Sequence, residues 1–500
     1  MIQSASRPVW KIDADTISQI FLTSARNTPG APYCKTASVE LSYSDAAGAI
    51  QTLANELDTD LRGRPVAIIL PNSAAFLIAY FAVLFAGGKP ALINHGHPRS
   101  TVNNLLADLD AVLTISDCTF EGVPNRLLND KMIKELRKPV CLETLYDPGT
   151  ASDIAAILYS GGTTGLPKQV PHTNASIVAT MERGDWGWQT QDRDVWLPVA
   201  PFTHIYGYLM GLANPLMRGG AIVLPERFQP DLIVDMLVDE KITIFGGGPP
   251  AIYQAIMASE KFESANFPNM RICPGGGAPF PLDVHRRWWA ATGLKIYEGY
   301  GMTEIAPITI NTEHNGVKPG SAGKAVPNTI VEIVDLEMGT AVLGAGETGE
   351  IRVKGPHMMM GYAGNPEETM QTIKHGYIYT GDIGTIDEAG FLTITDRKKN
   401  VIFVNGFNVF PREIEELLLD HPAISSSCVV SQSHARSGEV PIAFVTLRSE
   451  AEIEEILAFC RKNLISYKLP ARVFVLDALP LTPAGKVDRI QLQNSLEETA

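Results

Sequence analysis

A short stretch rich in glycine and hydroxyl side chains is the strongest candidate for chemistry in this chain. Residues 159–168 have the sequence YSGGTTGLPK and follow an apolar run at 154–158. We interpret the run as a buried strand, and the stretch as a loop too rich in Gly, Ser and Thr for regular structure. Glycines let backbone N–H groups surround a phosphate, hydroxyls add donors and a lysine adds charge. The stretch predicts an anion-binding loop; a flexible surface linker is the alternative.

The spacing of this loop differs from that of the phosphate loop of kinases and GTPases. That loop needs four residues between its glycines, then Lys and Ser or Thr. Here three residues separate Gly161 from Gly165, Lys168 does not follow directly, and Gln169 stands in the hydroxyl position. The sequence therefore predicts a phosphate loop of another kind.

Three further motifs offer groups that suit a nucleotide. Residues 299–304, GYGMTE, could place a tyrosine ring against a base, a hydroxyl on phosphate and a carboxylate on Mg²⁺. Asp382 follows Tyr-Thr-Gly and could accept hydrogen bonds from two ribose hydroxyls. The turn at 482–485 would present Lys486 at its edge. Each motif alone has an ordinary alternative, namely a turn with a buried tyrosine, a solvated aspartate or a solvated lysine.

The elements that must position these groups alternate between apolar runs and helical patterns. The pattern predicts βαβ units on a parallel sheet, and hence an α/β fold. Predicted strands are 66–70, 90–94, 111–116, 154–158, 220–224, 243–245 and 271–273, and predicted helices are 74–86, 101–109, 204–217, 231–240, 250–260 and 281–292. Ligands of such folds bind at the carboxyl ends of strands. Loops 160–168, 246–249, 275–279 and 299–304 all follow strands, so we expect one cleft.

The second half of the chain has a different sequence pattern. Short alternating runs at 330–334, 350–353, 378–379 and 391–395 predict a small β-rich subdomain. After the charged break DRKKN at 396–400, an α+β pattern has strands 401–404, 428–430, 442–446 and 473–476 and helices 412–420 and 452–464. We predict a large N-terminal domain of stacked α/β subdomains plus the β-rich subdomain (1–396), a hinge (397–399) and a small mobile C-terminal lid (400–500).

Composition limits the classes of partner. The formal charge of −14, from 41 basic and 55 acidic residues, argues against nucleic acid and acidic membranes. Six scattered cysteines without a Cys-x-x-Cys pair argue against a zinc ribbon or a disulfide scaffold. The start of the chain has no apolar core of a secretory signal, and the most apolar segment, 74–86, is too short for a bilayer. We expect a cytoplasmic protein with no membrane insertion.

Taken together and in order, these motifs resemble the adenylate-forming superfamily of acyl- and aryl-CoA synthetases, firefly-type luciferases and peptide-synthetase adenylation domains. The matching segments are 159–168, 299–304, 379–382, 396–415 and 479–489, and the resemblance extends from Tyr43 to Arg489. Coumarate–CoA ligases and medium-chain acyl-CoA synthetases look closest. The resemblance implies that a carboxylate attacks the α-phosphate of ATP, with Mg²⁺, to give an acyl-adenylate and pyrophosphate. The thiol of CoA then displaces AMP.

The resemblance also implies roles for individual residues. Thr303 would bind the α-phosphate, Glu304 would bind Mg²⁺, and Lys486 would bridge the carboxylate and the α-phosphate as an electrostatic catalyst. Lys399 would be the pivot on which the lid rotates between the two steps. The remaining nucleotide contacts would be Ser160, Gly161, Gly162, Thr163, Thr164, Gly165 and Lys168 for the outer phosphates, Gly276, Gly277, Ala278, Pro279 and Tyr300 for adenine, and Asp382 and Arg397 for ribose.

The acid itself would lie beside His204, in a segment that resembles the family's carboxylate-binding segment. Amino-acid-activating relatives place an Asp where this chain has Ile205, so an α-ammonium group would be buried unpaired, which is costly. The remaining lining would be Tyr206, Met210, Phe245, Gly246, Gly247, Gly248, Gly275, Gly299, Gly301, Pro307 and Ile308. This lining is apolar and has no Arg or Lys for a second carboxylate. We expect an aryl or medium-chain monocarboxylic acid.

Departures from the family pattern concern the second step. Gln169 replaces a common glycine. Phe403 and Asn408 stand where coumarate ligases and luciferases have a lysine and a glutamine that serve thiol transfer, while Gly406 keeps the small residue that admits a pantetheine arm. The main alternative is therefore a freestanding adenylating enzyme that loads an acyl carrier protein. Others are a luciferase-type oxidative enzyme, transfer to a nitrogen or oxygen nucleophile, and a non-catalytic nucleotide-binding module.

Overall fold

The computed structural model describes residues 12–57, 61–161, 166–434, 436–481 and 487–497. The chain forms two compact units. The first comprises Met1–Val331, Arg352–Tyr379 and Glu388–Leu392, and the second comprises Glu332–Ile351, Thr380–Asp387 and Thr393–Ala500. The domain boundaries at 396 and 400 remain a prediction.

The strands have between two and eleven residues. They are β1 (Pro32–Lys35), β2 (Glu40–Ser42), β3 (Pro65–Ile69), β4 (Lys89–Leu92), β5 (Leu113–Ser116), β6 (Asn125–Leu127), β7 (Ile154–Ser160), β8 (Lys168–Thr173), β9 (Val195–Pro198), β10 (Ala221–Val223), β11 (Ile244–Gly246), β12 (Cys273–Gly275), β13 (Ile296–Met302), β14 (Ile305–Ile310), β15 (Lys324–Ala325), β16 (Ile330–Val334), β17 (Gly349–Lys354), β18 (Ile373–Lys374), β19 (Tyr377–Ile386), β20 (Leu392–Arg397), β21 (Ile402–Val404), β22 (Phe407–Val409), β23 (Ile424–His434), β24 (Gly438–Leu447) and β25 (Arg472–Val475).

The helices alternate with the strands in the first half of the chain. They are α1 (Ile17–Asn27), α2 (Tyr43–Glu56), α3 (Ala74–Phe85), α4 (Arg99–Leu109), α5 (Asp130–Leu136), α6 (Asn174–Trp188), α7 (Ile205–Tyr208), α8 (Pro230–Asp239), α9 (Pro250–Met257), α10 (Leu282–Thr292), α11 (Pro366–Thr372), α12 (Pro411–Leu419), α13 (Ile453–Asn463) and α14 (Arg489–Glu497). Short 3₁₀ turns lie at Asn214–Arg218, Phe262–Ser264, Lys398–Asn400 and Ser466–Lys468, and a π-helical turn lies at Leu209–Ala213.

A six-stranded sheet confirms the predicted α/β fold. Its order is β6-β5-β3-β4-β7-β8, and every pair in it is parallel except β7 with β8. The inner strands β3, β4 and β7 are largely apolar, as is typical of parallel strands covered on both faces. Helix α3 confirms the predicted buried helix, since its residues from Ala74 to Leu84 are all buried. In the part of the chain described, no helix is long and apolar enough to cross a bilayer.

The stretch at 159–168 corrects our expectation of a loop throughout. Strand β7 continues through Tyr159 and Ser160, and Lys168 already begins β8. Ser160 pairs with Lys168, and Tyr159 pairs with Gln169. The reason is that antiparallel pairing satisfies the backbone groups of these residues, which outweighs their weak local preference for strand.

The first unit contains two further sheets, so the four loops that we predicted to share one cleft do not all leave the same sheet. Strands β11-β9-β10-β1-β2 form one sheet and β12-β13-β14-β15 form another, so β7, β11 and β12 belong to three sheets. Residues 299–302 are not a loop, because they lie in β13, which turns back antiparallel into β14. Bridges from Ile244 to Ile272 and from Gly248 to Gly275 join these two sheets.

The predicted helix at 204–217 is helical but irregular. The α-helical turn α7 passes into the π-helical turn and then into a 3₁₀ turn that contains Pro215. Pro215 has no N–H to donate, so the regular α-helical hydrogen-bond pattern stops before it.

The C-terminal part of the second unit has an α+β core. Its sheet has the order β22-β21-β24-β23, and β25 pairs with β24. Strands β23 and β24 pair from Ile424 with Leu447 to His434 with Gly438, so both are longer than predicted. Ile414 of α12 and Ile456 of α13 are fully buried in the same core cluster as residues of this sheet.

Candidate active site

Two buried histidines hold the turn that carries Thr303 and Glu304. Nε2 of His172, on β8, donates to the backbone oxygen of Thr303 at 2.8 Å. Nε2 of His357 donates to the backbone oxygen of Pro307 at 2.7 Å. The β7–β8 hairpin and the β13–β14 turn, which carry two separately predicted motifs, are thereby in direct contact.

Burial keeps both histidines neutral. It lowers the pKa of His172 to about 4. Burial also lowers the pKa of His357 to about 3, and the nearby positive charge of Arg183 contributes. Each ring therefore carries a single proton at neutral pH, and that proton lies on the Nε2 that donates to the backbone.

We expect this arrangement to make the protein sensitive to acid. The ordinary histidine pKa is 6.5, so the unfolded chain binds protons below that pH while these two folded sites do not. Stability is complete above pH 6.5 and is lost as pH falls, by about 2 kcal/mol for each histidine at pH 5. Urea unfolding at a series of pH values measures this loss. In His172→Gln, whose amide can also donate to Thr303, the loss should be smaller; an unchanged pH slope would contradict the assignment.

Glu304 is a buried carboxylate with one oxygen engaged. It is 5% exposed, and its Oε1 accepts a hydrogen bond of 2.6 Å from the hydroxyl of Tyr362. Burial and the Glu304 charge raise the pKa of Tyr362, so its hydroxyl stays protonated and donates. Our sequence analysis did not identify Tyr362.

Lys168 also lies against Tyr362. Its ammonium is 5.0 Å from the centre of the Tyr362 ring and forms an ion pair with Glu368 on α11. Next to it, Gln169 donates to the Asp108 carboxylate at 2.8 Å and to the Asp108 backbone oxygen at 3.1 Å. The departure from glycine at position 169 therefore ties β8 to the last turn of α4.

The donor set around Glu304 fits a metal ion that arrives with a nucleotide. Among the residues described, no group of three or more His, Cys, Asp and Glu side chains could hold a metal ion. Magnesium in nucleotide sites takes one or two carboxylates and completes its shell with phosphate oxygens and water. A single buried carboxylate such as Glu304 suits that use.

Five of the residues predicted for the acid pocket form a contiguous apolar group. The Tyr206 hydroxyl donates to the Pro274 backbone oxygen at 3.0 Å and accepts the Gly248 N–H at 3.2 Å. A Cβ on Gly276 would lie 2.9 Å from the Gly299 backbone oxygen, and one on Gly246 would lie 3.0 Å from Cβ of Met210. Glycine is required at these close approaches. The members of the group are Tyr206, Met210, Gly246, Gly248 and Gly299, with Gly276 beside them.

Other predicted pocket residues are placed differently. The Phe245 ring packs in a core cluster with Tyr253 and Trp288, at centroid distances of 5.5 and 6.3 Å. Ile205 belongs to the largest core cluster. Met210 belongs to the same cluster as Ile205, and all three side chains are buried. That they line the acid pocket stays a prediction. The remaining residues predicted for the acid pocket are packed tightly against neighbouring backbone or side-chain atoms. They are Gly247, Gly275, Gly301, Pro307 and Ile308.

His204 is exposed and begins helix α7. Its Nδ1 accepts the backbone N–H of Tyr206 at 3.2 Å. A neutral His204 therefore carries its proton on Nε2, where it can donate to an anion. The histidine caps the helix and is not a core residue.

Two residues predicted for ribose are in contact within the second unit. Nε of Arg397 lies 2.7 Å from Oδ1 of Asp382, which is 4% exposed. The Asp382 backbone N–H also donates to Oγ1 of Thr380 at 3.0 Å.

The residues predicted for adenine lie in the first unit. Tyr300 is half-buried in β13, Gly276 is buried, and Gly277, Ala278 and Pro279 are exposed.

The residues predicted for thiol transfer lie on one hairpin. Phe403 and Asn408 are paired across β21 and β22, and both side chains are exposed. Asn405 and Gly406 both have positive φ, of 51° and 82°, as a two-residue hairpin turn demands. Turn geometry alone therefore explains Gly406.

Lys399 lies in the 3₁₀ turn at Lys398–Asn400, where burial and the charges of Arg397 and Arg489 lower its pKa.

Some predicted residues lie outside the part of the chain described: Gly162, Thr163, Thr164, Gly165 and Lys486. Ser160 and Gly161 lie at the end of β7 and just beyond it.

Comparison with known proteins places the chain among nucleotide-dependent ligases. The family model described as "AMP-binding enzyme" matches residues 21–363, and "AMP-binding enzyme C-terminal domain" matches residues 413–486. A long-chain-fatty-acid–CoA ligase of Bacillus subtilis is 32% identical over 481 residues, covering 86% of this chain and 85% of the relative. A 4-coumarate–CoA ligase of Nicotiana tabacum is 32% identical over 462 residues, covering 86% and 84%.

A solved structure is also similar throughout. It is the O-succinylbenzoate coenzyme A synthetase of Bacillus subtilis in complex with ATP and a magnesium ion. The TM-score is 0.83 at 26% identity, and the match covers 95% of this chain and 98% of the other.

Proposed function

This chain belongs to the AMP-binding enzyme family, and we propose that it activates a monocarboxylic acid with ATP and transfers the acyl group to CoA. Membership confirms the predicted resemblance to adenylate-forming enzymes, and with CoA ligases as relatives the chain is an AMP-forming acid–thiol ligase. The residue roles and the class of acid are our proposals.

In the first step, an oxygen of the acid attacks the α-phosphorus of ATP. The bond from that phosphorus to the bridging oxygen breaks, and pyrophosphate leaves. Both reactants are anions, so the site must neutralise charge where it develops. We assign this to Lys168 and the hairpin residues beside it, to Thr303, to Lys486, and to Mg²⁺ held by Glu304, which would neutralise phosphate charge when bound.

In the second step, the sulfur of CoA attacks the acyl carbonyl, the thiol proton passes to solvent, and AMP leaves with the electron pair of the broken carbon–oxygen bond. Asp382 and Arg397 are proposed to bind the ribose of the nucleotide, and Lys399 to act as the pivot. Gly406 and Asn408 are proposed to border the pantetheine arm. CoA is favoured over a carrier protein because the curated relatives are named CoA ligases.

One observation supports the assignment most strongly. Residues from two separated sequence motifs, Lys168 from one and Thr303 and Glu304 from the other, are linked by direct contacts through His172 and Tyr362. A cation, a backbone turn and a buried carboxylate are thus brought close together, which supports the proposal that they bind a magnesium triphosphate.

The proposed class of acid follows from the residues predicted to line the acid pocket. We propose that Tyr206, Met210 and the close-packed glycines form an apolar wall. None of the residues predicted to line the pocket is acidic, Lys or Arg. A second carboxylate or an α-ammonium would lose its hydration without gaining a partner. We therefore propose an aryl or medium-chain monocarboxylic acid.

We also propose a cytoplasmic location. All six cysteines are free thiols, and two of them are exposed. Proteins of reducing compartments keep their cysteines in this form.

The test of the proposed substrate is acid-dependent ATP–pyrophosphate exchange. Benzoates, cinnamates, fatty acids, dicarboxylates and amino acids are compared at equal concentration. We expect exchange with aryl or medium-chain monocarboxylic acids. Exchange confined to dicarboxylates or amino acids would contradict the proposed class.

Removing the charge of Glu368, the ion-pair partner of Lys168, should strengthen ATP binding. Lys168 must leave Glu368 to bind phosphate, and a half-exposed ion pair is worth up to about 1 kcal/mol. We expect Glu368→Gln to lower the Kd for ATP about two- to fivefold. The matched control is Glu367→Gln, which removes the neighbouring charge and should leave the Kd unchanged. Weaker ATP binding by Glu368→Gln alone would contradict the assignment of Lys168.

A further inference from the structure

The segment at residues 359–363 is fastened to both sides of the candidate nucleotide site. The Met359 backbone N–H donates to the backbone oxygen of Glu304 at 2.8 Å. The Ala363 backbone N–H donates to the backbone oxygen of Gln169 at 3.1 Å, directly beside Lys168. The segment therefore connects the turn that carries Glu304 with the strand that begins at Lys168.

Tyr362 is the side chain of this segment that touches both functional groups. Its hydroxyl donates to Glu304 at 2.6 Å, and its ring lies 5.0 Å from the Lys168 ammonium. The ring is 8% exposed, so it is fixed by its surroundings. Cation and carboxylate thus contact different parts of one rigid side chain.

The backbone around Tyr362 is itself held in place. Its N–H donates to Oγ1 of Thr369 at 2.9 Å, and the Thr369 hydroxyl donates to the backbone oxygen of Asn365. Gly361 has φ of +138°, and a Cβ there would lie 2.7 Å from Cγ2 of Thr369. The chain therefore approaches α11 closely, and this approach sets the direction in which Tyr362 leaves the backbone.

We propose that Tyr362 is a positioning residue for nucleotide binding, which orients the Glu304 carboxylate through its hydroxyl and locates the Lys168 ammonium through its ring. This inference rests on the proposed function, because it takes Glu304 and Lys168 as the groups that bind magnesium and phosphate. A carboxylate that is already oriented needs no reorganisation when the ion binds. The hydroxyl should affect the magnesium requirement, and the ring should affect phosphate binding.

Two substitutions separate these contributions. Tyr362→Phe keeps the ring and removes the hydroxyl, so we expect the Mg²⁺ concentration for half-maximal ATP binding to rise about tenfold. ATP binding without Mg²⁺ should stay unchanged in this variant. Tyr362→Leu removes both contacts and should also weaken ATP binding without Mg²⁺. Titration calorimetry with ATP at a series of Mg²⁺ concentrations measures each quantity without turnover.

Tyr80→Phe is the matched control. It removes another buried hydroxyl, which lies 2.7 Å from the Tyr208 hydroxyl, and a general loss of stability would appear in both variants. An unchanged magnesium requirement in Tyr362→Phe, or an equal shift in Tyr80→Phe, overturns the proposal while the unmodified protein still binds ATP. Absence of ATP binding by the unmodified protein overturns the proposed function and this inference with it.

Discussion

Replacing Lys486 by alanine should lower the rate of adenylation by on the order of 100-fold or more, as the loss of a transition-state donor does in other enzymes. The ammonium is proposed to bridge the attacking carboxylate and the α-phosphate, so its charge acts where two anions meet. Acid-dependent ATP–pyrophosphate exchange measures the loss. The same variant should still convert chemically made acyl-adenylate and CoA to the thioester.

The control for this substitution is Lys462→Ala, which removes an exposed lysine from α13. It should leave pyrophosphate exchange at the level of the unmodified protein. Equal losses in the two half-reactions of Lys486→Ala would show that the lysine has no specific role in adenylation.

Replacing Lys399 by proline should impair thioester formation much more than adenylation. Proline fixes φ near −65° and removes the backbone N–H, so a residue that changes its backbone angles between the two steps could no longer do so. We expect thioester formation from acyl-adenylate to fall by at least about tenfold, equivalent to a barrier about 1.4 kcal/mol higher. Pyrophosphate exchange on the same preparation is the internal reference, and thioester formation at the normal rate would place the pivot elsewhere.

The fold could be predicted where the residue pattern of a short segment alone indicates its secondary structure. Residues 74–85 are apolar on every side, which predicts a buried helix, and α3 is one. The short apolar runs that alternate with helices predicted the parallel strands β3, β4 and β5. The length of β7 was not predictable, because Tyr159 and Ser160 become strand only through pairing with Gln169 and Lys168.

Part of the candidate site was likewise predictable. Lys168, Thr303 and Glu304 stand out because their residue types suit phosphate and magnesium and because each motif contains glycines. Tyr362 lies 58 positions from Glu304, and His172 lies 131 positions from Thr303. A single tyrosine or histidine in an apolar segment gives no sign of so distant a partner.

The acid pocket also shows what a sequence motif does not predict. Motif position predicts that Phe245, Ile205 and Met210 line the pocket, and all three side chains pack in core clusters. Motif position gives the path of the backbone, but the direction of each side chain depends on packing with residues far along the chain. Tyr206 stays a predicted pocket residue, and its hydroxyl bonds to backbone atoms of Pro274 and Gly248.

The most direct test of CoA ligation is to identify the products by mass spectrometry. The unmodified protein is incubated with Mg²⁺, ATP, CoA and the acid that supports the strongest pyrophosphate exchange. We predict one acyl-CoA thioester for each AMP released, and AMP release that depends on CoA. Acid-dependent pyrophosphate exchange without any CoA thioester would contradict ligation to CoA and would point to a different acceptor.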